Sequence, residues 1–142
     1  MIIEPKSKKE FQLYYNLRWE VLRKPWGKPK GSERSESDSV GFHRMVLDES
    51  DKPIGVGMLL HNDDKVGQIR FMAVSQKHQG VNIGSKLMFC LESLAIEQKI
   101  QTIILHAREV ALGFYIKKGY KNIEKSYLLF NDIQHYLMSK NL

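Results

Sequence analysis

The sequence predicts a single α/β domain of the α+β kind, with a mixed, mostly antiparallel sheet of about six or seven strands and about four helices packed on both faces. Three observations lead there. Strand-like runs separated by short polar connectors fill residues 42–74 and return after residue 120. The apolar spacing switches from two residues to 3.6 after Ser75, and a β-branched run at 102–107 sits between two helical stretches. A chain of 142 residues with 42% hydrophobic content supports one sizeable core, so one domain over 1–142 is expected.

Ser7-Lys8-Lys9-Glu10 places a hydroxyl and a carboxylate where each satisfies a free amide at a helix start. Phe11, Tyr14, Tyr15, Leu17, Val21 and Leu22 give that helix an apolar face until Pro25 and Gly27 interrupt it. Lys24 to Val40, rich in Pro, Gly, Ser and charge, reads as a long loop with one short helical turn. Strands follow at Phe42 to Asp48, Ile54 to His61 and Gly67 to Val74, and their polar connectors make them antiparallel neighbours. After a turn over Ser75 to Asn82, the residues Ile83, Leu87, Cys90 or Leu91, Leu94 and Ala95 recur at helical spacing. Thr102 to Ala107 is nearly continuous in apolar residues, as a buried parallel strand requires. A second short helix over Val110 to Lys118 ends at Gly119, a left-handed cap. Tyr120 to Phe130 and His135 to Met138 close the sheet around Asn131-Asp132.

The charge of +6 attracts polyanions without identifying them; nucleic acid, acidic surfaces and phosphorylated cofactors all fit. No apolar run approaches the roughly 20 residues of a membrane span. The first residues, Met1 to Lys6, lack the secretory pattern, so a cytoplasmic location is expected. Cys90 is the one cysteine, and no closely spaced His/Cys set offers a metal site, so no metal is expected.

The chemistry concentrates at Phe71 to Leu87, where a strand leads through a loop with two glycines into a helix. The first-turn amides of a helix lack internal acceptors and donate readily to a phosphate, with the helix dipole adding a favourable field. Gly80 and Gly84 permit close approach, and Asn82 tolerates a left-handed conformation. The alternative is an ordinary strand-to-helix turn. Neither Gly-x-x-x-x-Gly-Lys-Ser/Thr nor Gly-x-Gly-x-x-Gly is present, which argues against nucleotide hydrolysis and dinucleotide redox chemistry.

Gln79-Gly80-Val81-Asn82-Ile83-Gly84 resembles the pyrophosphate signature Gln/Arg-x-x-Gly-x-Gly/Ala of the GNAT superfamily of N-acetyltransferases, with Asn82 in place of the central glycine. Ala107-Arg108-Glu109-Val110-Ala111-Leu112-Gly113-Phe114-Tyr115-Ile116-Lys117-Lys118-Gly119-Tyr120 resembles the same family's second landmark. The order of elements fits as well, so the resemblance covers nearly the whole chain.

The resemblance implies a GNAT-like fold in which acetyl-CoA lies between the strand ending at Val74 and the strand ending at Ala107. Its pantetheine would pair with Met72, Ala73 and Val74, and its pyrophosphate would meet the amides of Gln79, Gly80, Val81, Asn82, Ile83, Gly84 and Ser85. It further implies transfer of acetyl to a primary amine of a small molecule, peptide or protein by direct attack. Tyr115 is then the general acid and a contact of the cofactor, and the amide of Val74 the oxyanion donor. A phenol protonated at neutral pH suits the acid role; packing beside Phe114 is the alternative.

For the base, His43 begins a strand and titrates near neutrality, although a lone histidine is more often structural. Glu33 and Glu36 read as solvated loop carboxylates, with amine binding or a water relay as the other reading. His78 and His135 read as support of the fold, and Arg70 as an exposed partner of nearby acids. Leu17 to Gly31, with Trp19 and Trp26, reads as a wall of the acceptor site or as ordinary packing. Two competing functions stay open: a CoA-binding module with little transfer activity, and a nucleic-acid surface at Arg23 to Arg34, which the absence of an RNA-binding signature disfavours. The expected partners are acetyl-CoA and an amine, with no membrane, and exposed strand edges make a homodimer an expectation.

Overall fold

A computed structural model describes all 142 residues. Seven strands form one sheet: β1 (Ile2–Ile3), β2 (Phe42–Leu47), β3 (Pro53–His61), β4 (Val66–Val74), β5 (Thr102–Arg108), β6 (Lys121–Leu129) and β7 (Ile133–Asn141). Their spatial order is β1-β2-β3-β4-β5-β7-β6, and every neighbouring pair is antiparallel except β4 with β5. The helices are α1 (Lys8–Leu22), α2 (Ile83–Glu97) and α3 (Leu112–Lys117).

α1 begins as expected, with both reciprocal bonds of the Ser7/Glu10 capping box formed. Tyr14, Leu17 and Leu22 on its buried face meet Met45, Val56 and Ala73 of the sheet. Leu87, Met88, Leu91, Leu94 and Ala95 of α2 build the larger core on the opposite face, where Leu112, Phe114 and Tyr115 of α3 join them. The two cores bury the sheet from both sides, which the even apolar content of β3 reflects.

Three α-helices form where about four were expected. The difference lies in residues 24–40, whose prolines and glycines hold the chain to two short 3-10 turns, Lys24–Trp26 and Glu36–Ser39. β1 was not foreseen, since two residues give no period to read. β5 is parallel to β4 as expected, but its burial alternates instead of running continuous, because only Ile103, Leu105 and Ala107 enter the α2 core. β7 continues to Asn141, well beyond Met138, because its register with β5 extends to Thr102. The sheet ends at β1 on one edge and at β6 on the other, and β6 is exposed along almost its whole length.

The segment 31–40 is pinned rather than loose. Arg18, fully buried, binds both carboxylate oxygens of Asp38 at 2.9 and 3.0 Å and the Glu33 carbonyl at 3.2 Å. Glu33 is buried too, contrary to its reading as a solvated carboxylate, and accepts from the amide of Gly31. Glu36 is exposed, as expected.

Candidate active site

The sheet splits where β4 and β5 part. They pair only at Val66, Gln68 and the residue between them, although β4 runs on to Val74 and β5 to Arg108. Between Val56 and Met58 of β3, the opposing β4 register jumps from Ala73 to Arg70, so Phe71 and Met72 bulge opposite Gly57. Phe71 sits at φ +53°, a conformation a bulky residue seldom adopts. The extra residue bends β4 and places Arg70 and Phe71 both on the α1 face, while Met72 packs into the α2 core. A cavity of about 840 Å³ passes through the resulting gap from one face of the sheet to the other.

On the α2 face the cavity is lined by Val74, Gln79, Gly80, Asn82, Gly84, Ser85, Phe114 and Tyr115. None of the seven backbone amides from Gln79 to Ser85 donates a hydrogen bond within the chain; Lys86, donating to the Asn82 carbonyl, is the first that does. Asn82 caps α2 at φ +67°, the left-handed conformation a glycine would adopt, and its side chain makes no capping bond. Substituting asparagine for the signature's central glycine therefore keeps the backbone shape. A Cβ at Gly84 would stand 3.3 Å from the Phe114 ring, so the glycine lets α2 approach α3.

Ser75 donates to the Ile54 carbonyl of β3, so alternation turns the N–H of Val74 away from β3 and toward the gap. The Val74 carbonyl receives a side-chain bond from Gln79 at 3.3 Å. Burial pushes the Tyr115 phenol up to about 12, against a partial pull downward from Arg108, so the hydroxyl is a proton donor throughout the neutral range.

On the α1 face the cavity is lined by Arg23, Arg70, Phe71, His106, Arg108, Tyr127 and His135. β5 alternation puts His106 and Arg108 there, opposite Leu105 and Ala107, and Arg108 pairs in register with His135 of β7. Tyr127 stacks on His135 with centroids 4.4 Å apart. Burial lowers the pKa of His106, with Arg70 adding to the effect, and burial likewise lowers His135, so both rings are neutral at pH 7. His106 Nδ1 is buried without a hydrogen-bond partner.

The sequence-based candidates divide accordingly. Tyr115, Val74, Met72, Ala73 and most of the 79–85 loop meet at the cavity; Val81 is exposed beside it. His43 does not join them. Its Nε2–H donates to the Asp38 carbonyl at 2.8 Å and its Nδ1 accepts from Tyr14 at 2.8 Å, which occupies both nitrogens under α1. Arg70, read as a partner of acids, instead donates to the Ser37 hydroxyl at 3.0 Å and faces the cavity. His135 lines the cavity as well as supporting the fold, and His78 lies at its mouth. Trp19 is half-buried and donates to the Lys28 carbonyl. The basic run from Arg23 to Arg34 is folded back on the protein, with Lys24 and Lys30 over Trp19, Lys28 over Phe130 and Arg34 over Tyr15. His106 and Arg108 were missed as site residues; the signal available was two polar residues spaced by two in an apolar strand.

Comparison with known proteins agrees with this geometry. The family model described as an acetyltransferase (GNAT) domain matches residues 26–142. The uncharacterized N-acetyltransferase YjcF of Bacillus subtilis is 28% identical over 136 residues, covering 96% of each chain. A Lactobacillus plantarum crystal structure, provisionally described as an N-acetyltransferase, superposes with a TM-score of 0.87 at 22% identity, covering 100% of this chain and 97% of that one. A GNAT family acetyltransferase from Elizabethkingia anophelis, solved with acetyl-CoA bound, superposes at 0.80 with 15% identity over 100% and 97% of the two chains. A strand bulged away from its parallel neighbour, a helix start with free amides and a family match over most of the sequence converge: this chain belongs to the GNAT acetyltransferase family.

Proposed function

We propose that the chain is a single-domain N-acetyltransferase that moves the acetyl group of acetyl-CoA to a primary amine by direct attack. The observation that carries this reading is the cavity through the split sheet, with free backbone donors on one face and neutral histidines on the other. Acetyl-CoA would enter on the α2 face, its pyrophosphate against the amides of Gln79 to Ser85 and its pantetheine along Met72, Ala73 and Val74. The α2 dipole favours that anion. The thioester then lies in the gap, where the Val74 amide faces the carbonyl oxygen and Tyr115 the sulfur.

The amine enters from the α1 face. It must be neutral to attack, and His106, a neutral ring lining the cavity, is better placed to take its proton than His43, whose two nitrogens are both engaged elsewhere. The nitrogen lone pair forms the C–N bond, negative charge gathers on the carbonyl oxygen near Val74, and the C–S bond then breaks. The departing thiolate is met by the Tyr115 hydroxyl. A donor aimed at such an oxyanion is worth roughly 3 kcal/mol in the transition state.

The test is acetyl-CoA turnover against a panel of amines, read as release of free thiol, with CoA affinity measured separately by calorimetry. Amine-dependent turnover supports the reading. CoA affinity without turnover on any amine would leave a binding module of the same fold, and absence of both would overturn the placement of the cofactor.

A further inference from the structure

Resting on that reading, we infer that the acceptor amine carries an anionic group, a carboxylate or a phosphate, that is held by Arg23, Arg70 and Arg108 on the α1 face of the cavity. The three come from separate elements: Arg23 follows the last residue of α1, Arg70 sits at the bulge of β4, and Arg108 ends β5. All three line the same cavity.

None of them forms an ion pair. The ion pairs of the chain are Arg18–Asp38, Arg34–Glu33 and Lys140–Glu92, and none includes these arginines. The nearest loop acids are already engaged, since Asp38 binds Arg18 and the Ser35 amide while Glu33 binds the Gly31 amide and Arg34. What the arginines do contact is neutral. Arg23 donates to the carbonyls of Ser32 and Leu22, and Arg70 to the hydroxyls of Ser35 and Ser37. Arg108 makes no side-chain hydrogen bond at all; its guanidinium carbon lies 4.5 Å from the centroid of the Trp26 ring. Each therefore keeps unused N–H donors, and Arg108 keeps its whole fork.

Their charges also act on one another. Burial lowers the pKa of Arg108, with Arg23 pushing in the same direction against a partial upward pull from Tyr127 and Tyr115; burial also lowers that of Arg23, where Arg18 and Arg70 add to the effect and Tyr127 and Glu33 oppose it. Partly buried cations that repel each other are unfavourable alone, and they become favourable when an anion fills the space among them. A guanidinium fork matches two oxygens of a carboxylate or phosphate. The phosphates of CoA are not the natural occupant, because the loop that would hold them opens on the α2 face. Arg23 and Arg70 instead bind residues 22–37 on the α1 face, and Arg108 lies over Trp26 there.

The experiment uses matched amines that differ in charge: ethanolamine with O-phosphoethanolamine, β-alaninamide with β-alanine, and glucosamine with glucosamine 6-phosphate. The readout is the ratio of kcat/KM for the anionic over the neutral member. A ratio of at least tenfold in one pair is expected, and the pair that shows it separates phosphate from carboxylate. Arg108→Met should bring that ratio close to one, and Arg108→Lys should restore part of it. The ratio matters because Arg108 also acts on Tyr115, so the variant slows both members.

Equal or inverted ratios in every pair would overturn the inference, as would an Arg108→Met variant that loses CoA affinity while the ratio holds. If no amine is acetylated, the transferase reading fails separately, and thermal shift decides the anion site. Stabilisation by an anionic amine but not its neutral partner, abolished in Arg108→Met, keeps the inference, and no anion-dependent shift with any of the probes rejects it.

Discussion

Replacing Tyr115 by phenylalanine removes one oxygen and keeps the ring, whose edge-on packing against Phe114 has centroids 5.0 Å apart. The size of the effect follows from the phenol's acidity. Tyr115 is pushed up to about 12, whereas a thiol of ordinary acidity titrates near ~8.5. Carrying the proton fully to the leaving sulfur would run about 5 kcal/mol uphill at 1.36 kcal/mol per pK unit. On the proposed mechanism Tyr115 would therefore act mainly as a hydrogen-bond donor to developing thiolate charge. A hydrogen bond to a charged group contributes about 1.5–3 kcal/mol, so Tyr115→Phe should slow the chemical step by roughly 10- to 150-fold. The same acidity predicts no loss of rate from Tyr115 ionisation up to about pH 10. Single-turnover acetyl transfer at saturating acetyl-CoA and amine, followed from pH 7 to 10, measures both, and calorimetry should find CoA affinity nearly unchanged. A rate within twofold of the parent would remove Tyr115 from the thioester. An alkaline fall with a midpoint below 10, present in the parent and absent in the variant, would refute the acidity argument.

Three further outcomes follow from the same geometry. Gly84→Glu drives a side chain toward the Phe114 ring, 3.3 Å from where its Cβ would stand, and sets a negative charge beside the free amides; CoA affinity should fall at least tenfold, about 1.4 kcal/mol, by calorimetry. Asp38→Ala leaves Arg18 buried without its carboxylate, and urea unfolding should show a loss of about 3–5 kcal/mol; a loss under 1 kcal/mol would mean the pair holds little of the fold. His43, His106 and His135 all have pKa values lowered, first by burial. The unfolded chain thus binds more protons than the folded one once pH drops below about 6.5, and stability should decline from pH 7.5 to 5.5. The lowered carboxyls of Glu10, Asp48 and Asp63 act in the same direction but in a more acidic window. A rise in unfolding free energy on acidification through pH 6 would contradict that assignment.

The elements that sequence made legible are those whose local chemistry points one way. The Ser7/Glu10 box, the polar connectors between β2, β3 and β4, and Gly119 at φ +95° all encode their own structure within a few residues. The turn into α2, with Asn82 left-handed and its amides free, was legible for the same reason. What could not be read depends on contacts far apart in the chain. His43 looked like a base because nothing nearby in sequence shows Tyr14 or the Asp38 carbonyl closing on its ring. Glu33 looked solvated because its buried surroundings come from the folding of a loop whose own composition is polar. Arg70 looked like a surface residue because alternation along β4, carried through residue 71 without a break, says nothing about a cavity opening beside it.

That break is the hinge of the whole arrangement. A regular β4 would set Arg70 and Phe71 on opposite faces and keep the strand beside β5 to its end, leaving no gap in the sheet. Instead Phe71 takes φ +53°, a strain of about 1–3 kcal/mol that persists only where the surroundings over-determine it. Those surroundings are visible. The Phe71 ring packs with the α1 core, and the guanidinium carbons of Arg18 and Arg70 lie 4.2 and 4.6 Å from its centroid. Arg18 is itself fixed by Asp38, so the ion pair that pins residues 31–40 also braces the bulge. One displaced residue thereby opens the passage, turns Arg70 into it and exposes β4 backbone to the gap. The two faces of the cavity meet there because a single strand register was broken and then held.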